Sequence, residues 1–125
     1  MRVKARQLID AFKVKTQSPD TPIGDLSGGN VQRAVLAREL SGDVDVLIVA
    51  NPCFGLDFAS VSEIRSRIME QRNRGAAVLL LSEDLDEILE LSDRVAVMSE
   101  GTINYIAAVA ETDRATIGKY MAGHE

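Results

Sequence analysis

The sequence predicts an α/β fold, in which a helical N-terminal segment precedes a mixed segment of strands and helices. Short apolar runs rich in β-branched residues occupy residues 44–50 and 76–82, as expected of strands buried on both faces. Between these runs, apolar side chains recur at helical spacing over residues 60–74. A strand, a helix and a second buried strand in that order predict a parallel βαβ unit.

Residues 1–43 are predicted to form a helical subdomain. Apolar residues recur at helical spacing within residues 3–14, which predicts an amphipathic helix. Proline-containing turn sequences make residues 16–24 a loop. A second helix is predicted over residues 31–40, with a glycine-rich segment before it and Gly42 as its stop.

Residues 44–125 are predicted to form the α/β part, in which the two strands flank a helix over residues 60–74. The pattern Ser60-x-x-Glu63 predicts the start of that helix as a capping box, and Gly75 predicts its end. Four arginines of the helix are interleaved with acids, a pattern that predicts a solvated face. They are Arg65, Arg67, Arg72 and Arg74.

After the second strand, the sequence predicts a short acidic helix over residues 84–91. A strand over residues 94–99, a turn at Glu100-Gly101 and a strand over residues 102–107 follow, and a last helix is predicted over residues 112–121. The acidic side chains of the first of these helices suit the positive end of the helix dipole, so no metal site is predicted there. They are Asp84, Asp86 and Glu87.

Composition excludes several classes of function. The chain has 125 residues and a formal net charge of -5, without a basic run, which argues against nucleic acid or an anionic membrane surface as a partner. A single cysteine, Cys53, and a single histidine, His124, offer neither a disulfide nor metal-ligand spacing. The apolar runs are too short for a transmembrane span, so we expect a cytoplasmic protein that does not insert directly into a membrane.

Residues 26–33 carry the most informative motif, with the sequence Leu-Ser-Gly-Gly-Asn-Val-Gln-Arg. Glycines that follow a serine where a helix starts leave backbone N–H groups uncovered, and the helix dipole adds partial positive charge, so a phosphate could dock there. On its own, such a segment is also explained by an N-cap and a turn.

The octet resembles the signature motif of the ATP-binding-cassette (ABC) ATPase family, usually written LSGGQ. Three further segments match this family in order: residues 46–52 resemble its Walker B strand, residues 55–57 its D-loop and residues 82–85 its switch segment. The resemblance implies a partial P-loop NTPase core, with residues 1–43 as the helical signature subdomain and residues 44–125 as the partial ATPase core.

The chain departs from the family's pattern where the family performs hydrolysis. Ala50 and Asn51 stand where the family's Walker B strand ends in Asp-Glu, and neither side chain offers a carboxylate to Mg²⁺ or to the attacking water. Glu83 stands where the family carries its switch histidine. The phosphate-binding motif Gly-x-x-x-x-Gly-Lys-Ser/Thr is absent, so the resemblance implies a core without the Walker A strand and loop, inactive by itself.

Among ABC proteins, the pattern is most similar to the degenerate second cassette of ATPases that serve simple-sugar and nucleoside importers. This resemblance implies that the signature completes an ATP site on a partner cassette, that Asp57 in the D-loop reaches the interface, and that ATP and Mg²⁺ are held only through that partner. The implied signature residues are Leu26, Ser27, Gly28, Gly29 and Asn30. The implied partners are a cassette with an intact Walker A loop and membrane permease subunits, which would place the protein at the inner face of the cell membrane.

Two other functions remain open from the sequence. The chain could be a non-catalytic interaction or regulatory module derived from a truncated ABC ATPase. An autonomous ATPase ranks last, because it requires the missing phosphate-binding loop and acidic pair. Strand edges left unpaired by the missing Walker A strand predict a homo-oligomer or a complex.

Overall fold

The computed structural model describes residues 2–25, 28–40 and 42–123. In chain order its elements are α1 (Arg2–Ala11), α2 (Gly28–Leu40), β1 (Val46–Ala50), α3 (Phe58–Asn73), β2 (Ala77–Leu81), α4 (Leu85–Leu91), β3 (Arg94–Ser99), β4 (Thr102–Ala108) and α5 (Arg114–Met121). The chain divides into two compact units, Met1–Leu79 and Leu80–Glu125. The division predicted between residues 43 and 44 stays a prediction.

The first sheet consists of β1 and β2, which pair in parallel and are joined through α3. The backbone N–H of Ala77 donates to the Asp45 carbonyl over 2.9 Å, where the two strands begin. This arrangement is the βαβ unit expected from two apolar runs that flank a helical repeat. The α/β fold class is therefore confirmed.

The prediction that β1 is buried on both faces is wrong. Leu47 and Val49 are buried, with 3% and 6% of their surface exposed, whereas Val46 and Ile48 are 63% and 66% exposed. Successive side chains of a strand point to opposite faces, so the alternation means that only one face of β1 is covered. The apolar sequence of β1 suits a strand covered on both sides, and one of those sides is open to solvent here.

The start of α3 also differs from the prediction. The helix begins at Phe58, and its N-cap is Asp57, whose Oδ1 accepts a hydrogen bond from the Ser60 N–H over 2.8 Å. Aspartate is as good an N-cap as serine, and it satisfies an N–H group that lacks an intrahelical partner. The predicted capping box that starts at Ser60 is therefore wrong. The helix ends at Asn73, and Gly75 follows with a φ of 103°, a conformation that suits glycine.

Two polar side chains of α3 hold the ends of the preceding helices. Gln71 is 2% exposed, and its Nε2 donates to the carbonyls of Leu40 and Gly42 over 2.9 and 3.1 Å, at the C-terminal end of α2. Arg67 donates to the Ala11 carbonyl over 2.9 Å, at the end of α1. Both contacts satisfy carbonyl groups that a helix end leaves without intrahelical partners.

Arg67 corrects the prediction of a solvated arginine face. Its guanidinium carbon lies 4.3 Å from the centroid of the Phe12 ring, and Phe12 itself is 4% exposed. A guanidinium over an aromatic face gains a cation–π attraction, and the arginine stem covers apolar surface. The interleaving of charges predicted solvation, but Arg67 packs against the end of α1.

The second unit is built on an antiparallel hairpin of β3 and β4, with Arg94 opposite Ala108 and Ser99 opposite Thr102. Glu100 and Gly101 form the predicted turn, with φ values of 52° and 79°. Two positive φ values are typical of a tight hairpin turn that matches the twist of the strands. The core of this unit consists of Val95, Val97 and Ile117, with a ring of partly buried apolar side chains around them.

None of the helices within the described ranges is long and apolar enough to cross a membrane.

The buried amide of Gln71 gives a test of how α2 is held. Gln71→Leu keeps the side-chain volume but leaves the Leu40 and Gly42 carbonyls without their donor. We expect the free energy of unfolding to fall by roughly 1–3 kcal/mol, as is usual for a buried acceptor left unsatisfied. Urea unfolding followed by circular dichroism measures the change. The exposed neighbour provides the control, since Arg72→Leu should stay within about 0.5 kcal/mol of the wild type; an equal effect of both substitutions would contradict the assigned contact.

Candidate functional site

The signature residues described by the structure lie in the first turn of α2. The helix begins at Gly28, so both glycines belong to the helix, and the predicted start at residue 31 is too late by one turn. A Cβ added to Gly28 would meet no atom of the described residues within 4 Å. The N–H groups of a first helical turn have no intrahelical acceptors and lie at the positive end of the dipole. Leu26 and Ser27 lie outside the described residues.

Asn30 has a structural contact within the chain. It is 8% exposed, and its Oδ1 accepts a hydrogen bond from the Lys15 N–H over 2.7 Å. The Asn30 side chain therefore fixes the start of α2 against the loop that follows α1. A phosphate at this end of α2 would meet backbone N–H groups, and of the Asn30 carboxamide only the Nδ2 group could donate to it.

Gln32 joins α2 to the loop after β1. Its Nε2 donates to the Asn51 carbonyl over 3.3 Å and also to the Pro52 carbonyl. Asn51 has a φ of 45°, in the left-handed region that asparagine tolerates better than most residues. The loop thus turns sharply where β1 ends, and the Gln32 amide bonds to both carbonyls of that turn.

Arg33 joins α2 to the start of α3. Its Nη2 lies 3.2 Å from Oδ2 of Asp57 and also donates to Oγ of Ser60. The Arg33 side chain is 16% exposed, whereas that of Asp57 is 66% exposed. The hydrogen bonds that Ser60 gives to the Asp57 carboxylate hold the pKa of Asp57 below its usual value, and the nearby Arg33 guanidinium lowers it further.

These contacts bring the predicted site residues of the first unit into one region. Gln32 and Arg33 connect α2 to the loop between β1 and α3, a role that the sequence did not predict. Gln32 follows Gly28 by four residues and Arg33 follows Gly29 by four, so each lies one turn further along the same side of α2. The sequence offered one indication of this role, because polar side chains follow the two glycines at a spacing of four residues.

Ala50 and Asn51 have the exposed positions at the end of β1. A methyl group offers no oxygen ligand to Mg²⁺, and an amide cannot deprotonate a water, so neither side chain supplies the chemistry of a carboxylate. Within residues 2–25, 28–40 and 42–123, no group of three His, Cys, Asp or Glu side chains could hold a metal ion. That the chain binds no metal by itself stays a prediction.

Glu83 belongs to the second unit, where it is exposed and lies directly before the N-cap of α4. The next residue, Asp84, caps α4 by accepting hydrogen bonds from the N–H groups of Asp86 and Glu87 over 2.9 and 3.3 Å. Asp86 in turn forms an ion pair with Arg114. Asp84 therefore caps α4, and Asp86 is engaged by Arg114. That these acids hold no metal stays a prediction.

Curated proteins similar to this chain are ATP-binding proteins of importers. The chain is 45% identical over 125 residues to the "Glucose import ATP-binding protein TsgD13" of Haloferax volcanii, a match that covers 98% of this chain and 23% of that protein. It is 44% identical over 123 residues to the "Guanosine import ATP-binding protein NupO" of Bacillus subtilis, with 98% of this chain and 24% of that protein covered. The chain thus spans about a quarter of the length of these relatives. No family model matches the chain.

Solved structures with the same fold are ABC transporter cassettes. An ATP-binding subunit of an ABC transporter aligns with a TM-score of 0.80 at 15% identity, covering 98% of this chain and 56% of that one. A dimeric bacterial ABC transporter cassette aligns with a TM-score of 0.73 at 18% identity, covering 86% of this chain and 46% of that one. At these identities the likeness establishes the fold.

The depressed pKa of Asp57 predicts a pH dependence of stability. A carboxyl group whose pKa is lower in the folded state adds stability that is present above the unfolded-state pKa and lost as pH falls through the folded-state pKa. Asp57→Asn keeps the shape but does not titrate. We expect the difference in free energy of unfolding between wild type and Asp57→Asn to shrink as pH falls from about 6 to about 2. Urea unfolding at several pH values measures it, and a difference that stays constant over this range would contradict the assigned contacts.

Proposed function

Because this chain belongs to the ABC ATPase family and spans about half of one cassette, we propose that it acts as an ATP-binding component of an importer. In this proposal, α2 contributes its N-terminus in trans to ATP held by a partner cassette. The chain resembles the second, degenerate cassette of a double-cassette ATPase. The printed functions of the relatives, glucose import and guanosine import, support a sugar or a nucleoside as the transported substrate.

The open first turn of α2 is the observation that carries the proposal. Gly28 is exposed, and a Cβ at this position meets no atom of the described residues within 4 Å, which supports the approach of a phosphate to the backbone N–H groups of this turn. A γ-phosphate carries negative charge, and the positive end of a helix dipole favours it there. Gly28 and Gly29 would supply the backbone N–H groups that meet the phosphate, and Leu26 and Ser27 precede them. Asn30 would hold the turn in place through its hydrogen bond with the Lys15 N–H.

The end of β1 supports a role without hydrolysis by this chain alone. Ala50 and Asn51 provide no carboxylate, and Glu83 places an anion where the family uses a histidine near the γ-phosphate. ATP and Mg²⁺ would therefore be held by the partner cassette, whose own Walker A loop binds the phosphates. The chain would complete the site without performing the chemistry.

The loop between β1 and α3 supports an interface with that partner. Phe54 and Phe58 flank Asp57 and are 82% and 91% exposed. Large aromatic side chains this exposed are unusual on a free surface and are enriched at protein interfaces. Asp57 lies between them and would reach the partner, which in this proposal is a cassette with an intact Walker A loop. Permease subunits would hold the pair at the cytoplasmic face of the membrane.

A substitution at Gly28 tests the donation of α2. Gly28→Glu adds a carboxylate at the helix start, where the added Cβ meets no atom of the described residues within 4 Å and the charge would repel a phosphate. We expect the ATP turnover of the co-isolated partner cassette to fall roughly tenfold or more, as for removal of a phosphate-stabilising contact. Steady-state phosphate release from the complex, pulled down through a tag on this chain, measures the effect.

Gly24→Glu is the matched control, because a Cβ at Gly24 also meets no atom within 4 Å. It adds the same charge four residues before Gly28, in the short 3₁₀ helix Ile23–Asp25, and should leave turnover unchanged. If Gly28→Glu matches the control in a complex that turns over ATP, signature donation is wrong. The non-catalytic interaction module is then the better account.

A further inference from the structure

We propose that Gln32 and Arg33 are positioning residues that tie the ligand-facing end of α2 to the loop carrying Asp57. This inference rests on the proposed function, because it explains how the signature end and the D-loop would be held in register at the partner's ATP. The α2–loop latch consists of these two side chains and the loop of residues 51–57. Neither residue is proposed to touch ATP.

The latch holds the loop at both of its ends. Gln32 donates to the carbonyls of Asn51 and Pro52, directly after β1, and Arg33 bonds Asp57 and Ser60 at the start of α3. These two carbonyl groups and two side chains all accept hydrogen bonds from donors that lie one turn into α2. A rigid-body shift of α2 would therefore move both ends of the loop with it.

Within the loop, two backbone hydrogen bonds close tight turns, Phe54 N–H to Asn51 O and Leu56 N–H to Cys53 O, each 3.2 Å long. Gly55 adopts a φ of 76°, a conformation that costs glycine little. Asp57 follows these turns, and its carboxylate accepts hydrogen bonds from Arg33 on α2 and from the Ser60 N–H on α3. These contacts with α2 and α3 therefore help to fix the position of Asp57, in addition to the turns of the loop.

Arg33 suits this role better than a lysine would. A guanidinium carries five N–H donors in a planar fork, so it can bond the Asp57 carboxylate and the Ser60 hydroxyl at once. The Arg33 side chain is mostly buried, which favours a single geometry, while Asp57 remains largely exposed and can accept a further hydrogen bond from a partner. Arg33 therefore orients a carboxylate that is still open on its outer side.

The test has two readouts, applied to the same variants. Gln32→Glu removes the donor at nearly constant shape, and Arg33→Lys keeps the charge but loses the fork. Arg38→Lys on the same helix is the matched control, because Arg38 is 74% exposed and its side chain pairs with its neighbour Glu39. All three variants are made in the full chain.

The first readout is amide hydrogen exchange over residues 51–60 of the full chain without a partner. We expect Gln32→Glu and Arg33→Lys to speed exchange there by about tenfold, and Arg38→Lys to leave it unchanged, since loosening the latch frees the loop. Unchanged exchange in both latch variants would overturn the inference, whatever the outcome at Gly28.

The second readout is steady-state ATP turnover by the co-isolated complex. A positioning role predicts that Arg33→Lys lowers kcat about tenfold while KM for ATP stays within about twofold, because the partner cassette holds ATP and the latch only aligns what faces it. Two further substitutions, Arg33→Met and Asp57→Asn, are tested singly and together. Because Arg33 would act through Asp57, the double variant should lose no more kcat than either single variant loses.

The outcomes separate this inference from the proposed function. If Gly28→Glu lowers turnover but the latch variants do not, α2 donates its end and the latch is only structural, so the inference fails. If Gly28→Glu leaves turnover unchanged, the proposed function fails, and the inference fails with it even where exchange increases. Faster exchange together with a lower kcat at constant KM supports both.

Discussion

The first unit depends on how α3 holds the two helices before it. Its side chains bond the carbonyl ends of both: Gln71 caps α2 from within the core, and Arg67 caps α1. The N-terminal end of α3 bonds α2 a second time, through the contacts of Asp57 and Ser60 with Arg33. Because α2 is held near both ends, its first turn has a fixed place from which to face a ligand. The proposed role of the helix start depends on these contacts, which hold α2 at both ends.

Local sequence patterns predicted most of the fold. The turn at Glu100-Gly101 and the strands on either side of it follow from neighbouring residues alone, and so does the βαβ order around α3. Burial could not be predicted in this way: the composition of β1 is that of a strand covered on both faces, but Val46 and Ile48 are exposed. Which face of a strand is covered depends on elements distant in the sequence, and composition carries no record of them.

The candidate site shows the same division between local and distant information. The signature octet predicted an open helix start, because a run of two glycines at a helix boundary is a local feature. The contacts of Arg33 with Asp57 and Ser60 join residues 24 and 27 positions apart, and no local pattern announces such pairs. Asn30 forms another contact of this kind, since its Oδ1 accepts a hydrogen bond from the N–H of Lys15 in the loop after α1. An intact helix start beside a strand end without carboxylates suits a chain that completes another cassette's site.

Photolabelling with an ATP analogue that carries its reactive group on the γ-phosphate would test this account most directly. The complex pulled down through this chain is irradiated with the analogue, and the labelled peptides are identified by mass spectrometry. Donation of α2 predicts label on the peptide containing residues 26–32, lost when excess ATP competes. Label confined to the partner cassette, in a complex that turns over ATP, would contradict it.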